Sequence, residues 1–205
     1  MGYSTRRCVL QAMLAAPALA GLAPALRASG EDDPVIAAAA DAIDVFDFER
    51  LAHAKLPPAH WGYLKTGVDG DATLLANDAG FANYSLRMRR LVDISRIDTS
   101  VTLFGRTWPS PIFLDPVGSQ RAFHPDGELA SARAARSKKL LQILSTVAST
   151  GVEDVNAARG EPVWYQLYPT DQWSLTKALV RRVEAAGCPV LVLTVDLQGG
   201  SNRLA

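Results

Sequence analysis

The alternation of short apolar runs with helical segments after residue 110 constrains the fold more than any other feature of the sequence. Each apolar run is three to six residues long and is bounded by turn residues, which is typical of interior strands. Strands that alternate with helices form a parallel sheet with the helices packed outside it, so the chain is predicted to be α/β. We expect strands at Ile112–Leu114, Leu141–Leu144, Val163–Leu167 and Val190–Val195.

The segment that follows the first strand carries unusual residues. Pro116 has no amide hydrogen and cannot continue a sheet ladder. Gly118, two residues later, lets the backbone come close to a flat ligand. In an α/β barrel the carboxyl ends of the strands carry the chemistry. We therefore expect Pro116–Gly118 to border a ligand site.

Polar residues follow the other strands at the same end. Taken singly, a strand-end serine or threonine is more often a helix cap or a turn former. Parallel strands share one exit face, however, so several polar strand ends together favour a ligand site. The residues of this set are Ser145, Gln166, Tyr168, Thr194 and Asp196.

Charge and cysteine content exclude some functions. The chain has 21 Lys and Arg against 21 Asp and Glu, so no basic field favours nucleic acid as a partner. Cys8 and Cys188 lack the spacing of a metal site, and we expect neither a bound metal nor a disulfide framework. The 205 residues are fewer than the roughly 250 of a complete (β/α)8 barrel.

Residues 1–30 predict a signal peptide and linker. Arg6 and Arg7 precede an apolar stretch that reaches about Leu26, and this pattern favours export to the periplasm by the twin-arginine route. The alternative is an uncleaved amphipathic or transmembrane helix, but Pro17 and Pro24 interrupt the stretch, which is short for a span.

Residues 31–110 predict a helical segment that ends in a hairpin, and residues 111–205 carry the strand–helix units. Expected helices of the first part are Ile36–Ala54, Ala59–Lys65 and Thr73–Ala82. The hairpin is expected to turn around Gly105 and Arg106.

Five motifs of the chain, in their order and spacing, resemble the FMN-dependent α-hydroxy-acid dehydrogenase and oxidase family. The resemblance extends from about Val45 to Leu197 and also includes Leu56–Pro57 and Tyr63 with Gly67. The motifs are Pro116–Gln120, His124–Glu128, Leu144–Thr146, Tyr165–Tyr168 and Leu193–Asp196. It implies the N-terminal portion of a (β/α)8 TIM barrel, with about four βα units preceded by a helical segment and a hairpin.

The resemblance also implies roles for the matching residues. Backbone of Pro116, Val117 and Gly118 would face the flavin of FMN, while Ser145, Gln166 and Thr194 would hydrogen-bond its polar edge. Tyr63 and Tyr168 would bind the carboxylate and hydroxyl of a small L-2-hydroxy acid such as lactate, glycolate or mandelate. Tyr168 and Asp196 are the implied catalytic residues, and Asp196 would pair with a histidine base, since an adjacent anion stabilises the imidazolium.

Two positions depart from the family pattern. Asp115 stands where a small residue is usual, and its carboxylate either faces the flavin or points to the barrel wall and pairs with a cation. Residues 197–202 replace the usual proline-containing loop after Asp196.

The family's second half has no counterpart in the sequence, so we expect this chain to be an incomplete fragment that lacks the catalytic histidine and is inactive alone. Its histidines are His53, His60 and His124, and none is assigned the missing role. The alternatives are a non-catalytic truncated remnant and another flavin- or phosphate-binding barrel. Oxygen, a quinone and a cytochrome stay open as electron acceptors, and the resemblance implies a tetramer for the full-length protein.

Overall fold

The computed structural model describes residues 36–196 and residue 202. By its internal contacts the chain divides into two units, residues 1–55 and 56–205. The expected signal peptide, residues 1–30, lies outside the described residues, as does most of the segment that follows Asp196. None of the described helices is long and apolar enough to cross a membrane.

In the first unit, helix α1 begins later than the sequence predicted. A helix was expected over Ile36–Ala54, but the structure has a single 3-10 turn at Ala39–Asp41 and then α1 at Asp47–Lys55. Between these two elements, aspartate side chains accept hydrogen bonds from backbone amides that would otherwise donate to helix carbonyls. Asp44 Oδ1 accepts from Phe46 N at 2.8 Å, and Asp47 Oδ2 accepts from Ile43 N at 2.6 Å. Such local side-chain bonds favour turns over a continuous helix.

The second unit begins with two short helices. Helix α2 starts at Pro58, where a proline costs nothing because the first helical amides have no intrahelical partner. The predicted helix Thr73–Ala82 is divided into α3 and a 3-10 turn over Gly80–Asn83. The helices of this unit are α2 Pro58–Lys65, α3 Ala72–Ala79, α4 Gly127–Lys138, α5 Val152–Arg159 and α6 Trp173–Ala185.

Four parallel strands form the main sheet of the second unit in the order in which they occur along the chain. The pairing register aligns Phe113 with Leu141, Ile143 with Trp164 and Tyr165 with Leu191. The predicted α/β fold with a partial barrel architecture is therefore confirmed. These strands are β3 Phe113–Leu114, β4 Leu141–Leu144, β5 Trp164–Leu167 and β6 Leu191–Leu193.

The expected hairpin is present and consists of β1 Val101–Leu103 and β2 Arg106–Trp108, which pair antiparallel. Its turn lies at Phe104 and Gly105, one residue earlier than predicted. Both residues have positive φ, 48° and 76°, as a two-residue turn that follows the twist of the strands requires.

The two faces of the main sheet pack against different partners because successive side chains of a strand point to opposite faces. On one face the sheet packs against helices α4, α5 and α6, and on the other against the hairpin. The helix-side core consists of Ala132, Leu144, Val152, Val155, Val163, Tyr165 and Val183. The hairpin-side core consists of Trp108, Leu141, Ile143 and Trp164, with Val101, Leu103, Val190 and Val192 at its margin.

Trp108 of the hairpin packs against Arg159, the last residue of α5. The guanidinium of Arg106 lies 4.0 Å from the centre of its indole ring, and that of Arg159 lies 5.7 Å away. Arg159 is 2% exposed and donates to the carbonyls of Leu140 and Pro162, at 2.7 and 3.1 Å. A buried charge that is hydrogen-bonded in this way holds its neighbours in one arrangement.

Glu128, at the start of α4, joins the loops that follow β3 and β4. Its fully buried carboxylate accepts from Gln120 N at 3.2 Å, from Ser149 N at 2.8 Å and from the Thr150 hydroxyl at 2.8 Å. Burial alone would raise the pKa of Glu128, but the hydrogen bonds from Ser149 and Thr150 outweigh it and hold the pKa below its ordinary value of 4.5.

We expect Glu128→Gln to lower the free energy of unfolding by about 1–3 kcal/mol near neutral pH. The substitution replaces one carboxylate oxygen with an NH2 group, which cannot accept the hydrogen bonds that the carboxylate receives. Because the folded pKa is depressed, the stabilisation by Glu128 is full above about pH 4.5 and is lost as the pH falls through the folded value.

Urea denaturation at several pH values would measure both effects, with the exposed Glu184→Gln as control. An equal acid-induced loss of stability in the wild-type protein and in Glu128→Gln would contradict this assignment.

Candidate functional site

A row of hydrogen-bonded polar side chains crosses three neighbouring strand ends. The Ser145 hydroxyl donates to Gln166 Oε1 at 3.2 Å, and Gln166 Nε2 donates to the Thr194 hydroxyl at 2.8 Å. Ser145 and Gln166 are both buried. The structure therefore brings together the three residues that the sequence analysis placed on the polar edge of the flavin.

Thr146 connects this row to the segment after β5. Its backbone amide donates to Gln166 Oε1 at 3.1 Å, and its hydroxyl donates to the Gln166 carbonyl at 2.6 Å. The same hydroxyl accepts from the backbone amide of Tyr168 at 2.9 Å. These bonds fix the direction in which the chain leaves β5 and hence the position of Tyr168.

A cavity of about 500 Å³ lies beside the row. Helix α2, the loop after β3, and the segments after β4 and β5 all contribute to its wall. Of the predicted site residues it includes the flavin-facing segment Pro116–Gly118, the first residue of the polar row, and both tyrosines. The lining residues are His60, Tyr63, Leu64, Pro116, Val117, Gly118, Ser119, Ala122, Phe123, Ser145, Val147 and Tyr168.

Gln166, Thr194 and Asp196 do not line this cavity. The first two extend the polar row away from Ser145, along the ends of β5 and β6. Asp196 lies two residues beyond Thr194 and is exposed. Its predicted pairing with a histidine stays a prediction.

Gly118 is needed for the contact between two loops. A Cβ at this position would lie 2.5 Å from Val147 Cγ2 and 3.3 Å from the Val147 carbonyl oxygen. The amide of Ser119 donates to that same carbonyl at 3.0 Å. Close approach of a flat ligand to Gly118 stays a prediction, whereas the close approach seen in the structure is that of the loop after β4.

Asp115 lines a different cavity, of about 410 Å³, together with Leu114, His124 and Gln142. It is not among the residues that line the cavity beside the polar row. This lining does not fix the direction of its carboxylate, so the orientation to the barrel wall stays a prediction. The ion pair expected for that orientation is not seen among the described residues.

His60 is the cavity residue that sequence reasoning missed. Its Nδ1 lies 2.7 Å from the carbonyl oxygen of Ala122, and its ring meets Phe123 edge to face at 6.4 Å between centres. The signal that could have found it is its spacing from Tyr63, because residues three apart lie on one face of a helix. In the described part of the chain, no group of three or more His, Cys, Asp or Glu residues is arranged to hold a metal ion.

Comparison with known proteins gives the same family that the motifs indicated. The family model "FMN-dependent dehydrogenase" matches residues 52–205. An L-lactate oxidase of Lysinibacillus sphaericus (strain C3-41) is 39% identical over 151 residues, which are 73% of this chain and 39% of that protein. A peroxisomal (S)-2-hydroxy-acid oxidase of Oryza sativa subsp. indica is 40% identical over 154 residues, 75% of this chain and 42% of that protein.

Among solved structures, a crystal structure of mandelate oxidase superimposes with a TM-score of 0.75 at 37% identity, covering 80% of this chain and 47% of that one. The chain belongs to the FMN-dependent dehydrogenase family. It spans less than half the length of these curated relatives.

The polar row fits one edge of a flavin. That edge carries carbonyl acceptors, and the amide nitrogen of Gln166 and the hydroxyl of Thr194 are donors that can meet them. The Gln166 Oε1 atom already accepts from the Ser145 hydroxyl and the Thr146 amide. Gln166 Nε2 has a second hydrogen, and the Thr194 hydroxyl accepts from Gln166 while keeping its own hydrogen to donate. The residues present are therefore compatible with FMN.

Gly118→Ala tests the loop contact. The added methyl group would lie too close to a methyl group and to the backbone oxygen of Val147, so we expect a loss of about 1–3 kcal/mol in the free energy of unfolding. Val147→Ala removes the opposing methyl groups, and in the double variant most of the loss should be recovered.

Chemical denaturation of the wild-type, single and double variants would provide a double-mutant cycle. Additive losses would show that Gly118 is not constrained by Val147.

Proposed function

We propose that this chain forms the flavin-facing part of an FMN-dependent enzyme that oxidises an L-2-hydroxy acid to the 2-oxo acid. The observation that carries the proposal is the row Ser145–Gln166–Thr194 beside a cavity lined by Tyr63 and Tyr168. The names of the relatives support the substrate class. Mandelate oxidase, whose fold this chain shares in part, has been crystallised with (S)-4-hydroxymandelic acid and with benzoyl-formic acid.

The proposed roles follow from where each residue lies. Ser145, Gln166 and Thr194 would hold the polar edge of the flavin, and Pro116–Gly118 would limit its ring on one side of the cavity. Tyr63 and Tyr168 carry hydroxyl groups that can donate to the carboxylate and hydroxyl of the substrate. Fixing both substrate groups holds the C2 hydrogen in one direction, which is the orientation effect on which such reactions depend.

Bound FMN would supply the redox chemistry by accepting a hydride equivalent, that is, two electrons together with the C2 hydrogen of the substrate. The hydroxyl proton of the substrate must pass to a base at the same time. Asp196 would orient that base and stabilise its protonated form, since a carboxylate beside an imidazole favours the imidazolium. Asp196 itself is suited to this role because it follows β6 at the same end of the sheet as Thr194.

We further propose that residues 1–205 alone do not turn over. The four-stranded sheet leaves β3 and β6 without an outer neighbour among the described residues, so it is an open sheet rather than a closed barrel. The cavity wall contains no carboxylate–histidine pair among its described residues. The family resemblance extends the proposal to a tetramer for the assembled enzyme, which light scattering of the full-length protein would test.

The central experiment measures FMN binding and reduction by the full chain. We expect weak FMN binding and no anaerobic bleaching by L-lactate, glycolate or mandelate. Gln166→Leu should weaken flavin binding by about tenfold or more, because the amide supplies hydrogen bonds to both neighbours and to the flavin. The exposed Gln172→Leu is the matched control.

Co-expression with the C-terminal part of the L-lactate oxidase, which the chain does not span, should restore both flavin retention and reduction. Rapid flavin reduction by the chain alone would contradict the proposed inactivity. Absence of FMN binding under both conditions would contradict the proposed function itself.

Export by the twin-arginine route is a separate proposal, supported by Arg6 and Arg7 ahead of an apolar stretch. The route transports folded proteins, which suits a protein that takes up its cofactor in the cytoplasm. Replacing both arginines with lysine should leave the product in the cytoplasm, as measured by fractionation. Unchanged recovery from the periplasm would count against the route.

A further inference from the structure

His60 is held in one orientation at the wall of the proposed substrate cavity. Two contacts fix its ring, the 2.7 Å contact of Nδ1 with the Ala122 carbonyl oxygen and the edge-to-face contact with Phe123. A carbonyl oxygen can only accept, so Nδ1 carries a hydrogen in both the neutral and the protonated ring. Nε2 is therefore the nitrogen that changes, from an acceptor to a charged N–H donor when the ring takes up a proton.

The described side chains that line the cavity can supply a positive charge but no carboxylate. None of the described residues that line it carries a carboxylate, and His60 is the one lining side chain among them that can become a cation. A cavity of this kind favours an anionic group of the ligand, because a protonated imidazole both attracts it and donates a hydrogen bond. Leu64, Phe123 and Val147 supply apolar wall beside that donor.

His60 also lies at a defined distance from the proposed carboxylate-binding tyrosine. It precedes Tyr63 by three residues on α2, and residues so spaced have Cβ atoms about 5–6 Å apart on one helix face. Both side chains line the same cavity. A ligand that places one carboxylate at Tyr63 can therefore present a second anionic group to His60.

We propose that His60 is a specificity-determining residue that binds the second carboxylate of a 2-hydroxy dicarboxylic acid of about four or five carbon atoms. The proposal deepens the proposed function and rests on it, since it assumes that Tyr63 receives the first carboxylate. A monocarboxylic 2-hydroxy acid has no group for His60 and gains nothing from the positive charge there.

The other titratable and charged groups on the elements packed against His60 are few. On α2 they are Tyr63 and Lys65, and after β5 there is Tyr168. The segment between β3 and α4 adds four, and none of these four lines the cavity beside the polar row. Asp115 and His124 line the neighbouring cavity, Arg121 packs its Cγ against Gly127, and Asp126 pairs with Arg133.

The test follows the three histidines by NMR in the full chain with 15N-labelled imidazoles, without FMN. The pH is varied in the presence of (S)-malate, of L-lactate, or of neither, at constant ionic strength. We expect malate to move the midpoint of the His60 titration to higher pH and to bind about tenfold more tightly at about pH 5.5 than at about pH 7.5. L-Lactate should leave the His60 titration unchanged.

His60→Gln should remove this pH dependence and lower malate affinity near pH 5.5 to the value that the wild-type chain has near pH 7.5. His53→Gln, which changes a histidine outside the cavity, should behave as the wild-type chain does. A loss of folding in His60→Gln would not obscure the result, because the titration of the wild-type chain reports on His60 directly.

Equal shifts with malate and lactate would overturn the selectivity for dicarboxylates, and a His60 titration that neither acid moves would overturn the site. These outcomes are separate from the proposed function, which is judged by FMN binding and reduction. The chain could bind malate at His60 and yet fail to bind FMN, both alone and when co-expressed with the C-terminal part. That result would support the dicarboxylate site and contradict the proposed oxidase function.

Discussion

The buried carboxylate of Glu128 is the interaction on which the geometry of the candidate site depends. It accepts hydrogen bonds from the loop after β3 and from the loop after β4, at Gln120, Ser149 and Thr150. The loop after β3 contains only a 3-10 turn at Gln120–Ala122, and the loop after β4 contains no helix or strand. Because an unpaired buried carboxylate would be costly, these donors have to stay in place, and the flavin-facing segment is thereby held against the end of β4.

The polar row has a related property. Ser145, Gln166 and Thr194 bond to one another as well as being available to a ligand, so their orientation is set before anything binds. Side chains that are already ordered lose less conformational entropy when a ligand arrives. The hydrogen bond from Gln166 Nε2 to the Thr194 hydroxyl also connects the carboxyl ends of β5 and β6. The same hydrogen bond therefore orders the site and stabilises the sheet.

Much of the fold was predictable from the sequence because its signals are local. Apolar runs bounded by turn residues gave the four strands, and the common exit face of parallel strands placed Ser145, Gln166 and Thr194 together. The late start of α1 was not predictable from periodicity, since it follows from side-chain bonds of Asp44 and Asp47. Which cavity Asp115 lines depends on which loops meet across the fold, and the local sequence around Asp115 does not contain that information. For His60, the spacing from Tyr63 on α2 was a usable local signal, but the contact with Ala122 was not predictable from it.

The strands of the main sheet are neighbours in space in the order in which they are neighbours in sequence. During synthesis the hairpin that carries Trp108 leaves the ribosome before the strands of the main sheet. Each of the strands β4, β5 and β6 then emerges after the strand with which it pairs. Each described strand from β4 to β6 pairs with the strand that precedes it, so the sequence separation of these pairings is that of one crossover helix rather than of the whole sheet. The nascent chain can thus assemble this sheet one strand at a time, from the amino-terminal side onwards.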